Sequence, residues 1–186
     1  MPFSAEKDDY LLFIGRMIAD KGAHTAIEVA RRLDRRLIMA GKVNEGPERH
    51  YYTEQVEPFL SDNIYFRGEV DHYTNVELYK RARCTLFPIQ WPEPFGLVMI
   101  ESLACGTPVI AMRYGAVPEV IEHGRTGFIV ETADEMADAA RHIDEIDQAE
   151  CRRAVEERFG SDAFVAAHEA AYRRLLEDAA RTPSPG

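Results

Sequence analysis

The sequence predicts an α/β domain in three layers, α/β/α, around a six-stranded and mostly parallel sheet. Three observations carry that prediction. Six short apolar runs recur along the chain, and each is continuous rather than alternating, as in strands buried on both faces. Between them lie stretches with apolar residues at helical spacing, so strands and helices alternate as in βαβ units. Gly and Pro punctuate the junctions. With 186 residues, 46% of them hydrophobic, the chain is long enough for one domain with a full core.

Met1–Asp9 is polar and irregular and reads as a linker or tail, which leaves 10–180 for the domain. Tyr10–Ile14 (YLLFI) is the first strand, and Gly15 to Gly22 is the loop after it. His24–Leu33 is helical, with Ala26, Ile27, Ala30 and Leu33 on one face. Leu37–Ala40 is the second strand, ended by Gly41; Pro47–Leu60 reads as one helix with a charged outer face. Asn63–Phe66 is the third strand, Gly68-Glu-Val70 turns the chain, and Asn75–Ala82 is helical. Cys84–Phe87 is the fourth strand. Pro88, Pro92 and Pro94 then forbid regular structure until Gly96 opens a helix from Leu97 to about Cys105, with Gly106 as its C-cap glycine. Val109–Ala111 is the fifth strand, Gly115–Glu119 a turn into a short helix, and Gly127–Val130 (GFIV) the sixth strand. Ala133–Ile146, Gln148–Phe159 and Asp162–Ala179 read as three successive helices, and 181–186 (RTPSPG) as a disordered tail.

A net charge of −10 and a pI near 5.1 argue against a nucleic-acid or anionic-membrane partner, and any phosphate site must be locally positive against this background. No apolar run has the length of a membrane span. Three scattered cysteines without a CxxC fit buried, reduced thiols and a cytoplasmic protein. Six histidines show no metal-ligand spacing, so no metal or other cofactor is expected.

The chemistry gathers around the fourth strand. Glu93 lies in the proline-rich loop and Glu101 about one turn, ~5 Å, inside the following helix. A helix N-terminus offers unpaired N–H groups and a positive dipole end, and Gly96 lets a ligand approach that backbone. Side chains lean toward a helix's N-terminus, so Glu101 points back at the same region, where a carboxylate suits a sugar hydroxyl and not a phosphate. Arg16 and Lys21, in the first loop, supply a planar fork and a compact charge for a diphosphate. That loop is neither a P-loop nor a GxGxxG turn. Four loops (those of Arg16 and Lys21, of Gly68–Val70, of Glu93 and of Gly115–Glu119) leave strand carboxyl ends and converge on one edge, where such sheets bind ligands. Phosphate in the middle with hydroxyl-rich sugars at both ends describes a nucleotide sugar. Trp91 reads equally as a sugar platform or as loop packing.

The string Glu93-Pro-Phe-Gly-Leu-Val-Met-Ile-Glu101, its continuation Ala104 to Ile110, the turn Gly115 to Glu119 and the Gly15-Arg-x4-Lys-Gly22 spacing together resemble retaining GT-B glycosyltransferases of the family 4 type. The resemblance runs from about Tyr10 to Leu176 and covers only the second, donor-binding half of a GT-B fold, which is Rossmann-like. It implies a retaining hexosyltransferase of the EC 2.4 class using a UDP- or GDP-hexose, inactive without the acceptor-binding domain. It also implies roles. Arg16 and Lys21, with Gly15 opening their loop, hold the donor diphosphate and neutralise the departing nucleotide. Val70 lies near the base. Glu93 binds donor-sugar hydroxyls beside Phe95, backbone N–H groups of Gly96 and Leu97 assist at the phosphate, and Glu101 binds ribose. No metal on the diphosphate is expected, since cations replace it. Two alternatives stay open: a module that binds a nucleotide sugar without turnover, and part of a GT-B-like sugar epimerase. A response-regulator reading lacks its phospho-acceptor pocket. Phe164, Tyr172, Leu175 and Leu176 of the last helix pack either on this domain or on a missing one.

Overall fold

The computed structural model describes residues 1–181, so 182–186 of the expected tail lie outside the described residues. The six strands are β1 (Tyr10–Ile14), β2 (Arg36–Ala40), β3 (Ile64–Phe66), β4 (Cys84–Phe87), β5 (Val109–Met112) and β6 (Gly127–Val130). They form one sheet in the order β3-β2-β1-β4-β5-β6, and every pairing is parallel. The helices are α1 (Ala23–Leu33), α2 (Pro47–Gln55), α3 (His72–Arg81), α4 (Leu97–Ala104), α5 (Val117–Val120), α6 (Ala133–Arg141), α7 (Gln148–Phe159) and α8 (Ser161–Arg181).

The pleat explains why the strand runs are apolar throughout. Leu11, Phe13, Leu37 and Met39 join Ala26, Ile27 and Ala30 of α1 in the larger core cluster. Their neighbours Tyr10, Leu12, Ile38 and Ala40 face the other way, onto Leu78 and Tyr79 of α3 and Ala82 just after it. With both faces covered, neither set of alternating positions tolerates a polar side chain without a hydrogen-bond partner. α8 is the exception to this packing: Phe164, Val165, Tyr172, Leu175 and Leu176 are all exposed on it.

Three helical segments differ from the sequence expectation, each for a local reason. The expected helix Pro47–Leu60 stops at Gln55, and a 3-10 turn follows at Glu57–Phe59. Pro58 has no N–H and its ring would meet the carbonyl of Glu54 in a continuous helix. The expected helix Ala133–Ile146 ends at Arg141 and continues as a 3-10 turn, Ile143–Glu145. The turn places Ile143 and Ile146, both buried, on one side. α3 starts three residues before the expected Asn75, because the Asp71 carboxylate accepts the Thr74 N–H at 2.7 Å and caps the helix there. Residues 1–9 have no regular structure but are tied down: Ser4 donates its N–H to Cys105 O at 3.2 Å. The Lys7 ammonium, pushed down to about 8 by burial, donates to Lys80 O at 3.0 Å and Thr107 Oγ1 at 2.7 Å.

The strand order reverses direction between β1 and β4. Loops leaving the carboxyl ends of those two strands diverge and open a crevice, which is where open parallel sheets bind ligands.

Candidate active site

The crevice is built from the loops after β1 and β4, and the two are stitched together by the Gln90 N–H donating to Asp20 O at 2.8 Å. The first loop ends in a 3-10 turn, Ala19–Lys21, that delivers Lys21 to the crevice. Its ammonium donates to Glu93 Oε2, and the Trp91 indole N–H donates to the same oxygen at 3.0 Å. Lys21 Nζ also lies 5.3 Å from the centroid of the Trp91 ring. The side chains of the ion pair are 19% and 15% exposed, so it is screened far less than a surface pair. Trp91 thus acts as a hydrogen-bond partner of Glu93 while leaving 38% of its surface exposed.

Gly96 sits at φ 76° and caps α4 without a side-chain hydrogen bond. The N–H groups of Leu97 and Val98 therefore have no intrahelical carbonyl and face the crevice end of the helix. A cleft of about 400 Å³ opens here, lined by Lys21, Phe87 and the run from Glu93 to Val98. A cleft of about 450 Å³ holding Arg31, Asp34, Arg35 and Asn63 lies at the amino ends of β2 and β3, the opposite edge of the sheet from the converging motifs.

Glu93 is held from behind by the turn after β5. Ala116 donates its N–H to Glu93 O at 2.9 Å. Gly115 has φ 52°, and a Cβ there would stand 2.3 Å from Glu93 O and 2.4 Å from Glu93 N. The turn approaches so closely that only glycine fits. Gly115→Ala is expected to cost about 1–3 kcal/mol through strained backbone. At ~2–4 °C per kcal/mol for a chain of this size, the melting temperature falls by several degrees, which calorimetry would read.

The structure does not gather every expected site residue in one place. Lys21, Glu93, Phe95, Gly96 and Leu97 share the cleft. Gly15 opens the loop and donates its N–H to Ala40 O at 3.0 Å. Arg16 points away, to Glu48 of α2 at 3.2 Å. Glu48 also accepts the Asn44 N–H at 2.9 Å, and that bond, with the Arg16 charge behind it, holds its carboxyl below the usual range. Glu101 is not among the cleft-lining residues; its Oε2 accepts the Tyr79 hydroxyl at 3.2 Å, on the α3 side. Val70 packs on that side as well, with Ile14 and Val98. Val98 belongs both to this packing and to the cleft lining, so the two ends of the site adjoin through it.

Sequence reading missed Glu48 and Tyr79. Glu48 is one acid among 32, and nothing local marks it as a partner of Arg16. Tyr79 falls on the apolar stripe of a helix and reads as core, which it also is. Nor was the contact of His24 with Tyr51 visible: His24 Nδ1 lies 2.7 Å from the Tyr51 hydroxyl, and burial lowers the imidazole pKa. Among the described residues no group of three or more His, Cys, Asp or Glu is placed to hold a metal ion, and no helix is long and apolar enough to cross a membrane.

The profile of the family described as glycosyl transferases group 1 matches residues 2–162. The N-acetyl-alpha-D-glucosaminyl L-malate synthase of Bacillus anthracis is 31% identical over 160 residues, covering 81% of this chain and 40% of that protein. Among solved structures, AviGT4, a glycosyltransferase involved in avilamycin A biosynthesis, superposes with a TM-score of 0.79 at 29% identity, covering 95% of this chain and 55% of its own. A sucrose-phosphate synthase from Thermosynechococcus elongatus gives 0.76 at 29% identity, covering 92% of this chain and 46% of its own. The chain thus spans less than two thirds of each of these relatives.

Proposed function

We propose, from the premise that this chain belongs to the group 1 glycosyl transferases and has the Rossmann-like α/β architecture of their GT-B structures, that it is the donor-binding half of a retaining hexosyltransferase. The observation that carries this reading is the placement of the Lys21 ammonium and the free N-terminal N–H groups of α4 around one cleft, with the Glu93 carboxylate between them. Two kinds of donor for a diphosphate thus stand beside one acceptor for sugar hydroxyls.

In this reading the donor is a nucleotide diphosphate hexose such as a UDP- or GDP-hexose. Lys21 and the N–H groups of Gly96 and Leu97 meet the diphosphate and stabilise the charge that grows on it as the bond to the sugar breaks. Arg16, on the same loop, turns from Glu48 to add a bidentate contact. Glu93 accepts from the sugar hydroxyls and fixes the anomeric carbon toward the acceptor, with Phe95 walling the cleft. Glu101 accepts from the ribose, and Val70 lies against the base. The acceptor attacks from the face the diphosphate leaves, so no protein carboxylate is assigned as a covalent nucleophile. Fixed cations meet the diphosphate, and we assign it no metal. Transfer requires the acceptor-binding domain, which this reading places outside the present chain. Three buried free thiols fit a reducing compartment, and we place the protein in the cytoplasm.

Thermal melting tests the reading, with UDP, GDP, ADP and their hexose conjugates as ligands. Ligand at about a hundred times Kd stabilises a folded chain by about 2.7 kcal/mol, a rise of several degrees. One base is expected to give that rise. A melt that no nucleotide moves overturns the reading. Radiolabelled sugar transfer on adding an acceptor-binding domain then separates an enzyme from a binding module.

A further inference from the structure

We infer that Tyr79 is a positioning residue for Glu101, and that this hydrogen bond between α3 and α4 sets the chain's preference for a ribonucleotide over a deoxyribonucleotide. The inference rests on the proposed role of Glu101 at the donor ribose and names what holds that carboxylate in place.

Tyr79 is fully buried, so its hydroxyl needs a protein partner. It finds one in Glu101 Oε2 at 3.2 Å. Burial, with the Glu101 charge adding to it, keeps the phenol protonated and therefore a donor toward the carboxylate. The other end of Tyr79 is fixed too, its carbonyl accepting the Thr107 hydroxyl from the loop after α4.

A purely structural tyrosine has a cheaper solution, and the same core contains it. The buried Tyr10 hydroxyl donates to the backbone carbonyl of Leu78 at 2.7 Å. Tyr79 instead donates to a partly buried carboxylate, whose charge is costly to remove from water unless something else uses it. The Tyr79 bond occupies one lone pair of Oε2 and fixes the carboxylate plane. The described residues give Glu101 Oε1 no hydrogen bond, so that oxygen and the second lone pair of Oε2 remain for two adjacent hydroxyls. A vicinal diol fits that pair of acceptors. A sugar lacking one hydroxyl leaves one of them empty.

The experiment is isothermal calorimetry with the nucleoside diphosphate that the melting screen selects and with its 2′-deoxy analogue. The wild-type chain is expected to bind the ribonucleotide about tenfold more tightly, the size of one hydrogen bond to a charged group. In Tyr79→Phe that ratio is expected to fall to about two, with affinity for the deoxy analogue unchanged. Glu101→Gln, at a partly buried position, is expected to lower the ratio in the same way and serves should the buried phenylalanine disturb the fold. A ribose-to-deoxyribose ratio unchanged in both variants, with binding retained, overturns the positioning role and leaves the donor site standing. A wild-type chain that binds neither nucleotide overturns both.

Discussion

Lys21→Ala is expected to weaken nucleoside-diphosphate binding by about 10- to 100-fold, the range of a hydrogen bond between charged groups. It is expected to lower sugar transfer further, by about 10²–10³, because a preorganised donor acts most strongly on the charge of the transition state. Among the described residues Lys21 is the only cation that reaches Glu93, and it is delivered there by a tight 3-10 turn whose last residue it is. Arg16 does not substitute for it: its guanidinium rests on Glu48 in the ligand-free chain and, in the proposed complex, adds its own contact beside the lysine rather than in its place. Lys21→Arg is not a conservative change either, because the longer planar fork demands a different approach to the phosphates than a compact ammonium. Calorimetry with the selected nucleotide reads the first effect, and labelled transfer in the presence of an acceptor-binding domain reads the second. An affinity unchanged in a variant that melts normally removes Lys21 from the site.

The loop that carries this lysine was legible in the sequence, and so was most of the fold, for the same reason. Strands such as Tyr10–Ile14 and Cys84–Phe87 are buried on both faces, so each announces itself as an unbroken apolar run with Gly or Pro beyond it. What escaped depended on information a one-dimensional pattern does not hold. Proline at position 58 splits a helix whose charged face otherwise reads as continuous. The capping role of Asp71 turns on one side-chain bond to Thr74. In the site, the residue types were readable and their pairing was not. Glu93 and Glu101 share a motif eight positions apart, yet Glu93 pairs with Lys21 across the crevice while Glu101 bonds Tyr79 of α3. Arg16 and Lys21 share a loop, yet opposing carboxylates draw them apart. These choices follow from which strands are adjacent, and the order β3-β2-β1-β4-β5-β6 cannot be counted off the sequence.

The pairing of Lys21 with Glu93 has a consequence opposite in sign to the first prediction. Glu93→Gln is expected to tighten binding of the bare nucleoside diphosphate by about 3- to 10-fold while lowering sugar transfer by about 10- to 100-fold. In the ligand-free chain Lys21 already has an anionic partner, so an incoming diphosphate must displace the carboxylate before it gains the ammonium. Glutamine has nearly the same shape and its amide oxygen still accepts the Trp91 N–H, so the loop keeps its anchor at 3.0 Å while losing the competing charge. Lys21 is then free for phosphate, and a repulsive charge beside the phosphates is gone. The sugar hydroxyls, however, lose a charged acceptor for a neutral one, and the hexose conjugate should gain little or nothing over the bare diphosphate. Calorimetry with both ligands, on wild type and Glu93→Gln, gives four affinities that decide the matter. Equal weakening of both ligands would show that Glu93 does not compete for Lys21. The opposite shifts would show a carboxylate that occupies the lysine when the site is empty and is released to the sugar when a donor arrives. Such an exchange keeps Lys21 oriented without a ligand, and it makes full engagement of the lysine conditional on a donor whose sugar can take Glu93 in return.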